Sequence, residues 1–530
     1  MAIEWLRSDL SSAAWRTALV PVRVAQYVLA LGIPGWAFWR LGMTMQSNAL
    51  GYDEQVFVWG GWSVLKGLVP YRDFMEWKPP IVFFSHALAL KLFGFAGMHF
   101  RYFFLLLALT SVVALVASLI QRGADKAVCA AFGLGIVQLF LYPGYHEASL
   151  ADTESIGLSY YYLGVAALIA NTRFRKIAEA LGGIFLSCCV LSKEPFAPCV
   201  VATWAACYFA VNERFSRRSA FAYLKSTTLG VGIVVGALAV YMVPTGSMSA
   251  YLSLVGRYAT MFRDPQKGYC VLLGGFRATG HTWSDFNTQF QVVRAQFLNP
   301  ATLGMFAPFF AASLVLVPRR SWALFAVAGV AFAAGLYGVT TTKCFFMHYY
   351  VMGQSGVTFF LALGADALGR QLTRFSPGAR MWAQTAVLLM LAVQVWPRVD
   401  AVTVVAKDGP AFVEPAAGLV DFIRANSTPE DKIFTTGPPG LYVHVERLAA
   451  IRGCTIIDEL IPAMPGETDE EKLRPLYNEL VKGQPKIVFL DPEHGPRKLR
   501  HMAAAITPFL NTFNYKKVNE TLYLRSDGSP

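Results

Sequence analysis

A chain of 530 residues that is 55% hydrophobic and 15% charged, with a mean hydropathy of +0.42, does not have the composition of a soluble protein, in which about a quarter of residues are charged. Its net charge of +12 comes without a basic soluble patch, so it points to basic connectors beside anionic lipid and away from nucleic acid. The eight cysteines form no paired framework: Cys129, Cys188, Cys189, Cys199 and Cys207 lie in or beside apolar runs as small hydrophobes, and the spacing of Cys270, Cys344 and Cys454 predicts no bridge.

The opening segment, MAIEWLRSDLSSAAWRTALVPVR, is too polar for a cleavable signal, and the apolar run after it is long enough to remain as an anchor. Residues 42–100 follow and contain GYDEQVFVWGGWSVLKGLVPYRDFMEWKPP. This stretch sets Asp53, Glu54, Asp73 and Glu76 beside Lys66, Arg72 and Lys78. A carboxylate at a membrane surface can take a proton from a sugar hydroxyl or hold a divalent ion, and a cation there can bind a lipid phosphate. Pro79 and Pro80 stiffen the entry to the next helix and hold Lys78. Ordinary solvated loop charges are the competing account. Residues 81–94, IVFFSHALALKLFG, are apolar but short and carry His86 and Lys91, which predicts a helix lying in the outer interface without crossing.

Apolar runs at 19–41, 101–120, 127–142, 156–170, 177–191, 196–211, 224–243, 302–317, 321–339, 350–368 and 381–397 predict an α-helical polytopic membrane protein with about 11–13 transmembrane helices. The basic connectors QRGADK (121–126), NTRFRK (171–176), NERFSRR (212–218), PRR (318–320) and GRQLTR (369–374) alternate with connectors poor in Lys and Arg. Placing all five in the cytoplasm puts the amino terminus inside and the carboxyl terminus outside. The outer face then receives 42–100, 143–155, 192–195, 244–301, 340–349 and the residues after 398.

Three outer connectors carry further candidates. SLADTESIGL places Asp152 at the mouth of a span, where Asp152 or Thr153 would also serve as a helix N-cap. VLSKEPFAP carries Lys193 between two short spans, where a cation is costly unless paired or snorkelling. TTKCFFMHYYVMG holds Lys343, His348 and Tyr349; His348 either ligates a metal or sugar or is merely hydrogen-bonded. The long loop 244–301 adds Arg257, Tyr258, Arg263, Asp264, Lys267, His281, Trp283 and Asp285, which the sequence does not rank. After Pro397 the composition changes. AGLVDFIRANSTPEDKIFTTGPPGLYVHVERLAAIRG contains a helix-like run, then Ser-Thr-Pro and the strand-like KIFTT; PKIVFLDPE reads as a buried strand with a turn behind it, NYKKVNETLYLRS as a closing hairpin or strand pair and GPPGLYV as a turn. The prediction is a small α/β domain over 398–530 on the outer face, after a catalytic membrane domain over 1–397. No nucleotide-type phosphate loop and no zinc-type cysteine spacing occur.

The order of an apolar span, Gly-Tyr-Asp-Glu, Pro-Tyr-Arg-Asp and Lys-Pro-Pro resembles the first periplasmic loop of the GT-C glycosyltransferases, in the protein O-mannosyltransferase and lipid A aminoarabinose transferase superfamily. The resemblance spans roughly 19–397 and is sharpest at 51–80. It implies a bacterial inner-membrane enzyme that moves a sugar, with inversion, from a polyprenyl-phosphate donor to an envelope acceptor: lipid A or its core, another glycan or a protein. It makes Asp53 catalytic; Glu54 beside it is either a second catalytic acid, for metal or acceptor, or a bystander. Lys78, Lys193 and Arg72 become the donor-phosphate ligands, and Asp152, Lys343 and Tyr349 become substrate contacts. It leaves Glu76 and His348 as places for a divalent ion (Mg, Mn or Zn), although Trp77 separates Glu76 from Lys78 where the family sets the two side by side. No nucleotide cofactor is expected. The rival class is a transporter or lipid flippase, which predicts ionisable residues or broken helices near the bilayer midplane.

Overall fold

Six of the apolar runs coincide with helices in the computed structural model, which describes residues 52–76, 78–122, 151–212, 215–263, 322–342, 417–437, 439–453, 469–491, 506–526 and a few single positions outside these stretches. They are α3 (Arg101–Gln121), α4 (Thr153–Ile169), α5 (Arg175–Val190), α6 (Ala197–Val211), α7 (Arg217–Met242) and α9 (Trp322–Thr342). The helical stretches Ala96–Gln121, Glu194–Val211 and Arg217–Met242 are each long and apolar enough to cross a membrane. Their outward faces carry Leu106, Val113, Val201, Phe209, Phe221, Ile233 and Val240 exposed, as a lipid-facing surface allows. The runs at 19–41, 127–142, 302–317, 350–368 and 381–397 lie outside the described stretches.

The helix expected over 81–94 is present as α2 (Pro80–Phe93), and residues expected to be loop supply a further helix before it, α1 (Tyr52–Leu65). Pro80 supplies a preset φ at the first position of α2, and Gly94 closes it with its N–H on the Leu90 carbonyl. At 14 residues, α2 is about 21 Å long, short of a bilayer core. Helix α1 approaches it closely. A Cβ on Gly60 would fall 2.5 Å from the Phe83 ring, and one on Gly61 2.5 Å from the His86 Cβ. The loop expected over 244–301 likewise opens with a helix, α8 (Ser247–Arg263).

Small residues also set the α5–α7 crossing. A Cβ on Gly230 would lie 2.0 Å from the Ala180 carbonyl oxygen, and one on Gly183 2.2 Å from that of Thr227, the close backbone approach that membrane helices use. The bundle has two chemically different ends. At one, the Arg122 Nε donates to the Ile169 carbonyl at 2.7 Å and an Arg175 Nη to that of Ala170 at 3.2 Å. There the Tyr208 hydroxyl donates to the Ser216 carbonyl of the α6–α7 connector at 3.3 Å and lies 2.7 Å from the Ser219 hydroxyl in the first turn of α7. The basic connectors after α3, α4 and α6 therefore gather at this end. At the other end lie the turns before α2, before α4 and after α5.

Beyond the bundle, α10 (Ala417–Ala425), α11 (Gly440–Val445) and α12 (Asp469–Gly483) accompany a five-stranded sheet in the order β2-β1-β3-β5-β4. Strands β1 (Lys432–Thr435), β2 (Leu448–Ala449) and β3 (Ile487–Phe489) run parallel; β4 (Tyr515–Lys517) and β5 (Leu522–Arg525) add antiparallel. The predicted strands and closing pair are present. GPPGLYV departs from expectation, because Gly440–Val445 is a short buried helix and not a turn. The expected division after residue 397 falls outside the described residues.

Candidate active site

Both acids of the opening motif stand in the first turn of α1, where the helix dipole favours negative charge. Their surroundings differ. Glu54 is fully buried and takes a two-pronged ion pair from Arg101, Nε to Oε1 at 2.6 Å and Nη2 to Oε2 at 2.6 Å. Asp53 is half-buried, and no hydrogen bond or ion pair with a described residue engages it. One acid is locked into the fold and its neighbour is open.

The connector from α1 to α2 is a tied, ordered segment. The Asp73 carboxylate accepts from the Val69 N–H at 2.9 Å and from the Arg72 Nε and Nη2 at 2.8 and 2.6 Å. Those Arg72 hydrogen bonds hold the Asp73 carboxyl below its ordinary range. The Arg72 Nη1 reaches the Thr245 carbonyl at 3.1 Å, and the Ser247 hydroxyl donates to the Pro70 carbonyl at 2.7 Å, so the start of α8 is bound to this connector. Tyr71 adopts φ 67, a left-handed conformation that costs strain outside glycine. Its buried ring lies 4.7 Å from that of Tyr251, and its hydroxyl donates to the Lys78 carbonyl at 2.7 Å. Burial, with Tyr251, Glu194 and Glu76 nearby, pushes the Tyr71 phenol well above its ordinary range, which keeps it a donor. Tyr71 thereby fixes the backbone of the Lys-Pro-Pro turn, and a Glu76 oxygen accepts the Lys78 N–H at 3.3 Å.

That turn meets a second one. The Ile81 N–H donates to the Leu191 carbonyl at 3.3 Å, which brings Lys78 and Lys193 to adjacent turns. Both lysines are more than nine-tenths buried. Lys193 forms an ion pair with Glu154, which the Thr153 hydroxyl also binds at 2.6 Å. Glu194 is within electrostatic reach of Lys193, Lys78 and Glu76. Asp152 occupies the N-cap position of α4 and is buried, but its side chain makes no capping hydrogen bond. The His86 Nδ1 lies 2.9 Å from the Val82 carbonyl, and the ring packs among Phe57, Phe100 and Phe104 between α1 and α3.

Asp53, Glu54, Arg72, Glu76, Lys78, Asp152 and Lys193 thus belong to one connected set of turns at the bundle end remote from the basic connectors. Lys343, His348 and Tyr349 lie outside the described residues. Among the described residues no three His, Cys, Asp or Glu side chains form a metal-ligand group. Sequence reasoning missed Arg101, Glu154 and Tyr71. For Arg101 a signal existed, since an arginine opening a long apolar run must find a buried partner.

No family model matches the chain, and no curated protein does. Solved structures do. ArnT from Cupriavidus metallidurans bound to undecaprenyl phosphate is 13% identical with a TM-score of 0.55, over 95% of this chain and 99% of that one. Its apo state is 13% identical at 0.53, over 96% and 98%. The archaeal oligosaccharyltransferase AglB from Archaeoglobus fulgidus, in complex with an inhibitory peptide and a dolichol-phosphate, is 12% identical at 0.50, over 94% and 74%. At such identities the likeness is one of fold: the chain shares the fold of ArnT and of AglB.

Proposed function

We propose that this chain is an inner-membrane glycosyltransferase that moves a sugar from a polyprenyl-phosphate donor to an envelope acceptor, with inversion. The acceptor is lipid A or its core, another glycan or a protein hydroxyl. The observation that carries the reading is the pair of apposed turns that bury Lys78 and Lys193 on the strip that begins at the open Asp53 carboxylate. Two buried ammonium groups match a lipid phosphate, and a carboxylate that no described residue engages is available to a hydroxyl proton. The positive-inside rule puts the basic connectors in the cytoplasm and this strip on the outer face. It also leaves the unit over 398–530 outside and the amino terminus inside.

In this mechanism Asp53 accepts the proton of the acceptor hydroxyl as its oxygen bonds to the anomeric carbon. The bond from that carbon to the donor phosphate oxygen breaks, and polyprenyl phosphate leaves. Lys78 and Lys193 stabilise the charge that grows on the phosphate, and Arg72 flanks them. A phosphate reaching Lys193 competes with Glu154 for its ammonium, so Glu154 acts as counter-ion while the donor is absent. Asp152, Lys343 and Tyr349 are assigned to substrate contact. Glu54 is assigned to the fold through Arg101. Glu76 and His348 are the residues that would hold a divalent ion, and no step is assigned to it.

The test is transfer from a panel of polyprenyl-phosphate sugars to extracted envelope acceptors by purified wild type and Asp53→Asn, with and without chelator. Wild type transfers, and Asp53→Asn loses about 10²- to 10⁴-fold in turnover with its thermal unfolding unchanged. Equal turnover removes Asp53 from the chemistry. No turnover in either protein, with the panel verified on a known transferase, favours a transporter.

A further inference from the structure

The α11 segment touches the helix that presents Asp53. The Gly440 N–H donates to the buried Gln55 Oε1 at 3.0 Å, across 385 residues of sequence. One turn along α1, the Trp59 ring lies 6.1 Å from that of Tyr442 on α11. The Met75 N–H donates to the Arg452 carbonyl at 2.8 Å, and Met75 and Gly453 form a β-bridge. His444 meets the Phe95 ring edge-on at 4.8 Å. The sheet unit therefore grips both chain segments that carry the candidate chemistry, α1 two residues past Asp53 and the connector three residues before Lys78.

We infer that Gln55 and Gly440 are positioning residues: the hydrogen bond between them sets the first turn of α1 and so the place of the Asp53 carboxylate. This rests on the glycosyl-transfer reading for its catalytic consequence. Gln55 lies in the same helical turn as Asp53, and its side chain enters the α11 contact. A helix fixes the relative positions of residues two apart, so a shift of Gln55 moves Asp53 with it. The fit at Gly440 is close, because a Cβ there would stand 2.6 Å from the Gln55 Oε1 and 3.2 Å from its Cδ. Its backbone is outside the left-handed region, so alanine is acceptable to the helix while its methyl displaces the Gln55 amide.

The test uses the full chain in nanodiscs with Gly440→Ala and Gln55→Met. Gly418→Ala, on α10 with open space around it, is the control. Hydrogen exchange at residues 53–57 is measured beside kcat and the donor KM. Faster exchange in α1 and a kcat lowered about 10- to 100-fold, with KM within about twofold and Gly418→Ala like wild type, support the inference. Unchanged exchange, or unchanged kcat in an active enzyme, overturns it. Should wild type transfer nothing, the glycosyl-transfer reading fails by itself. The exchange arm then decides the contact: faster exchange upholds the grip on α1 and unchanged exchange removes it.

Discussion

Replacing Arg101 by methionine strands the Glu54 carboxylate, which is 0% exposed and loses both of its 2.6 Å hydrogen bonds. An uncompensated buried charge costs about 3–5 kcal/mol, enough to unfold much of a marginally stable protein. Glu54→Leu alone takes from the Arg101 guanidinium, 4% exposed, both of its hydrogen bonds to a carboxylate and is destabilising as well. The double variant Glu54→Leu/Arg101→Met removes both charges and fills the site with apolar atoms. Such replacements are neutral or stabilising by about 1–4 kcal/mol, so the double variant should be more stable than either single one. Denaturant unfolding in detergent, followed by tryptophan fluorescence, reads the cycle, and sugar transfer is measured on the same samples. If Glu54 serves only the fold, the double variant keeps turnover within severalfold of wild type. A double variant that is stable but depressed about 10²- to 10⁴-fold would make Glu54 a working acid and refute the division of roles between the two acids. One as unstable as the singles would refute the ion-pair argument.

Lys78→Met and Lys193→Met should each weaken polyprenyl-phosphate binding by roughly 10- to 100-fold, the worth of one hydrogen bond to a charged group, as read by titration of the lipid phosphate. Gly230→Ala forces a methyl against the Ala180 carbonyl and should destabilise by about 1–3 kcal/mol, while Gly236→Ala, with nothing near it, should be neutral or stabilising in thermal unfolding. Because Arg72 depresses the Asp73 pKa, the stability that Asp73 contributes is complete above the ordinary carboxylate range and is lost as pH falls through its lowered value. Wild type and Asp73→Asn should therefore differ by a constant amount at neutral pH and converge in acid.

The membrane helices were legible because each is apolar all round over a long run, with Lys and Arg gathered in the connectors. Helix α2 was legible from Pro80 before its apolar residues and Gly94 after them. Helix α1 was not. Its sequence, YDEQVFVWGGWSVL, combines two acids, β-branched residues and a glycine pair, all weak local helix signals. Gly60 and Gly61, which read as loop, are the places where the backbones of α1 and α2 come together. Tertiary contact makes that helix, and no local rule reports it. Asp53, Lys78 and Lys193 could be picked out because a charge beside an apolar run calls for explanation. Their neighbours could not. Glu54 and Arg101 are 47 residues apart, Lys193 and Glu154 39, and both pairings depend on how helices pack. GPPGLYV was misread because its Gly and Pro residues signal a turn, whereas Gly440 is kept small by the approach of Gln55.

The Gln55–Gly440 contact also sets a timetable. Helix α1 leaves the ribosome before its partner, which follows 385 residues later. At about 5–20 residues per second, that gap is roughly 20–80 s of synthesis. The sheet that accompanies α11 takes longer still, since β3 is flanked by β5, whose residues 522–525 are made about 80 residues after α11. A nascent protein can therefore insert its helices and meet the lipid pool well before α1 is held in its final place. The first turn of α1 thus gains its distant hydrogen-bond partner only after the far segments have been made and folded.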